Sequence, residues 1–207
     1  MMKRILTLLT VAAFFILVSK TGYSQVRYNI QAGVNFSTLT NNLLPNTSSK
    51  TGFRAGLGIN YNFSDFFSVD PSLLIVSKGF KQSDINLSVN PIYLQLPLNF
   101  TLNLPLTRNI KILIGAGPYV AYGIGGSGSI GLSSGETLVD AKMFSNESVF
   151  TYYNKFDAGL NSSVGIALGD IILSLGGEWG FLKVNDYELN DKQNLNNSYY
   201  ISLSYKF

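Results

Sequence analysis

The stretch that decides the fold is Ser198-Tyr199-Tyr200-Ile201-Ser202-Leu203-Ser204-Tyr205-Lys206-Phe207. Its side chains fall into two alternating sets, large apolar ones at Tyr199, Ile201, Leu203, Tyr205 and Phe207 and more polar ones at Tyr200, Ser202, Ser204 and Lys206. This period of two predicts a β-strand with one apolar and one polar face. Such a strand suits either the edge of a soluble β-sandwich or the wall of a transmembrane β-barrel, whose apolar face contacts lipid.

The same alternation recurs upstream in seven segments, within residues 27–38, 51–63, 67–81, 91–102, 110–124, 155–168 and 171–184. Each segment reaches the length of about 9–11 residues with which a tilted strand crosses a bilayer. Long and short connections alternate between the segments, as in outer-membrane barrels with short periplasmic turns and longer external loops. The sequence therefore predicts an all-β fold, an eight-stranded antiparallel up-and-down transmembrane β-barrel with both termini in the periplasm.

The composition of the two predicted faces separates a membrane barrel from a soluble one. Leu, Ile, Val, Phe, Tyr and Trp occupy one face of nearly every segment, whereas Gly, Ser, Asn, Gln and scattered charges occupy the other. The interior of an eight-stranded barrel is just wide enough for side chains to fill it. Because the bulky set would overfill that space, we expect it to face lipid. The alternative is a soluble lipocalin-like barrel with the bulky residues inside.

Residues 1–24 have the features of a secretory signal peptide. A basic start precedes an uncharged apolar run over residues 5–18, which is shorter than the roughly 20 residues of a membrane helix. Small residues then precede an expected cleavage between Ser24 and Gln25. We expect the mature protein to be a barrel domain of residues 25–207, and an uncleaved membrane anchor is the alternative.

The composition excludes several classes of protein. The chain has no Cys, which rules out a disulfide framework and a lipid-modified cysteine. Three of its 15 basic residues lie in the predicted signal peptide, and the remaining 12 balance 12 acidic residues. The mature chain therefore has no basic surplus of the kind that nucleic-acid binding requires.

Short motifs in several strands resemble those of a known family. They are Gln31–Ser37, Thr51–Gly56, Leu96-Pro97-Leu98, Gly115–Tyr119, Phe156–Gly159 and Tyr205-Lys206-Phe207. With them the whole mature chain resembles the PorT-like small outer-membrane β-barrel proteins. The resemblance implies an eight-stranded up-and-down barrel but no single activity. PorT itself is tied to a protein-secretion apparatus, and no motif carries that role onto this chain.

Charged residues on the predicted lumen face form two sets. Arg54, Lys155, Asp157 and Glu178 fall toward the external end, and Arg27, Asp70, Lys111 and Lys206 fall toward the periplasmic end. Both signs occur at both depths, and unpaired charges inside a narrow barrel would be costly. We therefore expect paired networks that plug the lumen, with a gate for small solutes as the alternative.

No residue is assigned to catalysis, to a cofactor or to a metal, and we predict a non-enzymatic protein. Small outer-membrane barrels that act as enzymes generally use a histidine as general base, and this chain has none. Residues 123–128 fit a GxGxxG pattern, but no helical pattern follows, so we interpret them as the root of a flexible loop. Asp186, Glu188 and Asp191 share a polar loop whose spacing matches no calcium motif, so we interpret it as an ordinary solvated loop, with weak Ca²⁺ binding as the alternative.

Tyr205 and Phe207 are expected to form the recognition signal for the outer-membrane assembly machinery, as terminal aromatics do in barrels that this chain resembles. The predicted partners are that machinery and the lipid bilayer of the outer membrane, with no nucleic acid. The predicted role is structural, or one of surface interaction through the external loops. A narrow channel for small solutes and an accessory component of a PorT-like secretion apparatus are the alternatives.

Overall fold

The computed structural model describes residues 25–40, 47–82, 87–131, 137–144, 154–182 and 195–207. These residues form one antiparallel sheet whose eight long strands are β1 (Val26–Thr40), β2 (Thr47–Asn62), β3 (Phe67–Ser77), β5 (Leu87–Pro105), β6 (Ile110–Gly131), β8 (Phe156–Leu168), β9 (Ile171–Gly180) and β10 (Leu195–Lys206). Two short strands are added to them, β4 (Phe80–Gln82) and β7 (Thr137–Lys142). The described ranges contain no helix with the length and apolar character of a membrane span.

The sheet closes on itself through the pairing of β1 with β10. This seam runs from Asn29 opposite Lys206 to Thr40 opposite Leu195. Tyr28 and Phe207 extend it by exchanging two backbone hydrogen bonds of 3.1 and 2.9 Å. Each long strand thus has a partner on both sides, and the predicted eight-stranded antiparallel up-and-down barrel is confirmed. The predicted signal peptide and Ser24 lie outside the described residues.

The two faces of the barrel wall are as the sequence predicts. Along β10, Tyr199 and Leu203 are more than half exposed on the outer wall, whereas Ser198 and Ser202 are buried inside. The same division holds on β2, where Leu57 faces out and Arg54 is buried. The expectation that the apolar face points outward is confirmed, and the soluble alternative with a bulky interior is excluded.

Several strands continue beyond the limits predicted from alternation. β6 extends to Gly131 and pairs there with β7, so the predicted long loop over residues 125–149 begins as a hairpin. β1 and β2 likewise extend into the predicted loop 39–50, and β5 begins inside the predicted loop 82–90. Backbone pairing needs no particular side chain, and a strand that projects past the lipid needs no apolar outer face. Alternation therefore ends before the hydrogen bonding does.

The hydrogen-bond ladder around Pro71 is interrupted, as its lack of an N–H donor predicts. Pairing of β2 with β3 stops between Gly58–Ser72 and Tyr61–Val69 and resumes in the same register, so this is a gap rather than a bulge. On the other side, pairing of β3 with β5 stops between Pro71 and Leu74. An apolar groove of about 440 Å³ lies on the outer wall here.

Ile201→Arg should destabilise the barrel in lipid. Ile201 is exposed on the outer wall and lies opposite Val34 and Leu175, near the middle of three adjoining strands. An arginine at the bilayer midplane costs about 2–4 kcal/mol, whereas one near the interface costs about 0–1 kcal/mol. Denaturant unfolding in lipid vesicles measures the loss. Ile171→Arg, at the first residue of β9, is the matched control, and equal small losses for both variants would contradict the lipid-facing assignment.

Candidate functional site

Four charged side chains form a layer across the lumen. Arg54 Nη2 lies 3.1 Å from Glu178 Oε1, and Lys78 Nζ lies 3.1 Å from Glu178 Oε2. Lys78 Nζ also lies 3.4 Å from Asp157 Oδ2. All four side chains are at most 3% exposed, and their formal charges cancel. We call Arg54, Lys78, Asp157 and Glu178 the lumen ion-pair layer.

The layer is assembled from four separate parts of the wall. Arg54, Asp157 and Glu178 lie on β2, β8 and β9, at positions that alternation directs inward. Lys78 follows the end of β3, where Ser77 and Lys78 are buried in succession. The Lys78 backbone N–H donates to the Pro91 carbonyl at 3.0 Å, which fixes this break against β5. Positions on strands that are distant in sequence thus converge on one level of the lumen.

Neutral donors add hydrogen bonds to both carboxylates. Glu178 accepts hydrogen bonds from Gln95 Nε2 at 2.8 Å and from Ser198 Oγ at 3.2 Å. Asp157 Oδ2 accepts from Tyr119 Oη at 3.2 Å and from Asn196 Nδ2 at 3.3 Å. Buried charges are tolerated only when further hydrogen bonds satisfy their remaining lone pairs. These four donors supply that requirement for Glu178 and for Asp157 Oδ2, whereas the buried Asp157 Oδ1 has no partner among the described groups.

Aromatic rings cover the two cations. The Arg54 guanidinium carbon lies 3.5 Å from the centroid of the Tyr200 ring. Lys78 Nζ lies 4.3 Å from the Tyr119 centroid and 5.9 Å from the Tyr93 centroid. Cation–π attraction is strongest where the cation is desolvated, as it is here. Because all three tyrosines are buried, rings and ion pairs together fill the lumen at this level.

A polar cavity of about 90 Å³ lies beside the layer in the lumen. Arg54 lines it, together with Asn29, Asn60 and Asp70, which are linked by hydrogen bonds of 3.1 Å (Asn29 to Asn60) and 2.7 Å (Asn60 to Asp70). Arg54 Nε and Nη1 have no partner among the described protein groups. A polar cavity of this size suits water, which would satisfy those donors.

The structure separates the two predicted sets of lumen charges. Of the first set, Arg54, Asp157 and Glu178 come together in the layer, whereas Lys155 is exposed immediately before β8. Of the second set, Arg27 pairs at 3.1 Å with Asp170 on the surface, Asp70 accepts from Asn60 and Ser68, and Lys111 and Lys206 line a second cavity.

Lys78 is the member of the layer that the sequence analysis missed. Even-numbered residues of β3 face the lumen, and continuing that parity by one step past Val76 places Lys78 inside. The signal was obscured because Leu74 and Val76, both buried in the lumen, are apolar. A charged residue at the end of such a mixed strand was therefore not recognised as part of the lumen face.

Two weaker candidates are also located. The glycine run 123–128 lies within β6, so the expectation of a flexible loop root is wrong. Its glycines pair with β5 in a regular ladder broken by one register shift. Asp186, Glu188 and Asp191 lie outside the described residues. Within the part of the chain that is described, no three His, Cys, Asp or Glu side chains are grouped as metal ligands.

Comparison with known proteins gives the family of this closed barrel. The family model described as outer membrane protein beta-barrel domain matches residues 19–204. The chain belongs to this family. It is accordingly an integral β-barrel protein of the outer membrane. No curated protein sequence matches the chain significantly.

Solved structures of small outer-membrane barrels are similar in outline. Ail, the attachment invasion locus protein of Yersinia pestis, is 12% identical, with 88% of this chain and 99% of that chain covered and a TM-score of 0.45. Neisserial surface protein A is 14% identical, with 87% and 97% covered and a TM-score of 0.48. The outer membrane enzyme PagL is 11% identical, with 86% and 98% covered and a TM-score of 0.47.

Glu178→Gln should cost about 3–5 kcal/mol of the free energy of unfolding, because it leaves two buried cations with one carboxylate. Unfolding by denaturant in detergent or vesicles measures this loss. Arg27→Gln, which breaks only the exposed pair, should cost about 0–1 kcal/mol. Adding Arg54→Met to Glu178→Gln restores a neutral layer, so the double variant should lose less than the sum of the single losses. Strict additivity would show that Arg54 and Glu178 are not coupled.

Proposed function

We propose that the protein is a non-enzymatic, non-conducting barrel of the outer membrane. It serves a structural or surface-interaction role through the long connections at one end of the barrel. The observation that carries this proposal is the lumen ion-pair layer, which blocks the interior with paired charges and aromatic rings. Gln25 and Phe207 lie at the opposite end with the tight turns, and we assign that end to the periplasm.

The energetics of the layer support a permanent plug. Separating Glu178 from either cation would leave a buried charge without its counterion, at a cost of about 3–5 kcal/mol. An open path would also require the rings of Tyr119 and Tyr200 to leave their positions over the cations of the layer. Movement of a single side chain would not both break the ion pairs and displace the rings. We therefore expect no steady aqueous path through the lumen.

Planar-bilayer recordings test the plug. The wild-type barrel should show no steady channels, and Lys78→Ala combined with Tyr119→Ala should create discrete conductance steps by removing a cation and a ring from the lumen. Lys81→Ala combined with Tyr122→Ala is the matched control, because both side chains are exposed. Large steady channels in the wild type would overturn the non-conducting assignment.

A narrow channel for small solutes is the second candidate, since two polar cavities lie inside the barrel between the layer and the turn end. Small steps in the wild type, altered by Lys78→Ala but not by Lys81→Ala, would favour it. A role as an accessory component of a PorT-like secretion apparatus rests on the motif resemblance. It predicts that deleting the gene lowers the amount of secreted protein. Turnover of a labelled lipid by the purified barrel would contradict the non-enzymatic assignment.

The terminal aromatics support a proposed role in recognition by the outer-membrane assembly machinery. The Phe207 side chain is 67% exposed, and its ring centroid lies 6.3 Å from that of Tyr28. Tyr205 is exposed on the same outer face. However, the Phe207 backbone also closes the seam with Tyr28, so loss of the residue would remove hydrogen bonds as well as the proposed signal.

Two variants separate these roles of Phe207. Phe207→Leu keeps the backbone pairing and removes the ring, so it should lower the amount of heat-modifiable protein in outer membranes while purified protein still refolds in detergent. Deleting Phe207 should impair both. Undiminished membrane assembly of Phe207→Leu would contradict a signal role for the ring, and a refolding defect as large as the assembly defect would make the residue purely structural.

A further inference from the structure

We propose that the mouth of the barrel at its turn end binds a compact, doubly charged anion of the phosphate class. The turn end carries the turns 63–66, 106–109 and 169–170. A cavity of about 360 Å³ opens there, and we call it the turn-end cavity. Its volume lies in the range of small-molecule sites. The proposal is separate from the proposed function, because it concerns a different cavity and requires neither conduction nor its absence.

The charge of the turn-end cavity is unbalanced. Four cationic side chains (Arg27, Arg108, Lys111 and Lys206) and two acidic ones (Asp65 and Asp170) line it, which leaves two positive charges in excess. The Arg27–Asp170 pair neutralises itself. Among the described carboxylates, none forms an ion pair with Arg108, Lys111 or Lys206. This contrasts with the lumen ion-pair layer, where every charge has a partner.

The cations act on one another. Asp70 and Asp170 attract the Lys206 ammonium, Asp70 most strongly of the neighbouring charges, while Arg27 and Lys111 repel it. Lys206 is partly buried, so this repulsion is less screened than it would be on an open surface. A bound dianion would relieve the repulsion among these like charges. The need for a bound anion is specific to this end of the barrel, because the lumen ion-pair layer deeper inside is neutral.

The remaining lining suits phosphate oxygens. Neutral hydrogen-bonding side chains surround the cations, namely Asn62, Ser64, Asn103 and Asn109. An arginine fork pairs with phosphate through two hydrogen bonds, and lysine supplies a point charge. A compact anion can therefore be held by charge and oriented by neutral donors.

The inner wall of the cavity is apolar. Leu113, Ala167 and Ile172 form a buried cluster inside the barrel. Leu113 and Ala167 line the turn-end cavity, and Leu113 and Ile172 line the polar cavity beyond it. The cluster therefore lies between the two cavities. An anion entering from the mouth meets this apolar wall and is retained among the cations.

Titration calorimetry of the full barrel in detergent with inorganic phosphate tests the proposal. Saturable binding is expected, and Lys111→Gln combined with Lys206→Gln should weaken it at least about tenfold, the loss expected for charge-assisted hydrogen bonds. Lys50→Gln combined with Lys81→Gln removes the same charge at the opposite end and should leave binding unchanged. Absence of saturable binding at millimolar phosphate, or equal losses in both double variants, would overturn the proposal.

Two further measurements identify the source of the phosphate and guard against misfolding. Methyl phosphate should compete with inorganic phosphate. If phosphatidic acid in nanodiscs blocks phosphate binding, whereas neutral lipid does not, the occupant is a lipid phosphomonoester headgroup rather than a free phosphate. If the cavity variant fails to refold, phosphate should still shift the wild-type amide resonances of Lys111, Gly169 and Lys206, and unmoved resonances would overturn the site.

Discussion

Every backbone N–H and C=O group at the depth of the hydrocarbon must be paired within the protein, because lipid offers no hydrogen bonds. In this chain the seam between β1 and β10 meets that constraint, with Tyr28 and Phe207 pairing beyond its last strand residues. Closure sets the number of strands, and the number of strands sets the width of the interior. The content of the lumen follows from that width.

An interior this narrow admits charges only when they are matched. At the level of Lys78, two cations and two carboxylates neutralise one another, and tyrosines and amides fill the space around them. At the turn end the interior opens to solvent, and none of the described carboxylates forms an ion pair with Lys111 or Lys206 there. The same barrel therefore holds a closed, neutral level and an open, basic one, and the difference between them is access to bulk solvent.

Much of this architecture could be predicted from alternation. The period of two identified the eight long strands, their outward face and the inward position of Arg54 and Glu178, because lipid imposes the same rule on each strand. The strand extensions past residue 124 and before residue 51 escaped prediction, since backbone pairing outside the lipid leaves no side-chain pattern. Lys78 escaped because apolar Leu74 and Val76 share its face. Which charges meet depends on register between distant strands, which alternation does not encode.

The interrupted ladder at Pro71 gives the wall an uneven stiffness. Strands on the β8–β9–β10 side are joined in continuous register, whereas β3 lacks two residue pairs in succession on each flank and β5 lacks two more against β6. When the surrounding bilayer thins or curves, the wall should deform first on the side formed by β2, β3, β5 and β6, where residue pairs between neighbouring strands are missing. The apolar groove over that side would let acyl chains follow the deformation. Arg54 and Lys78 are carried by β2 and the end of β3, whereas Asp157 and Glu178 lie on β8 and β9, so the ion pairs of the lumen layer tie the loosely paired side of the wall to the continuously paired one.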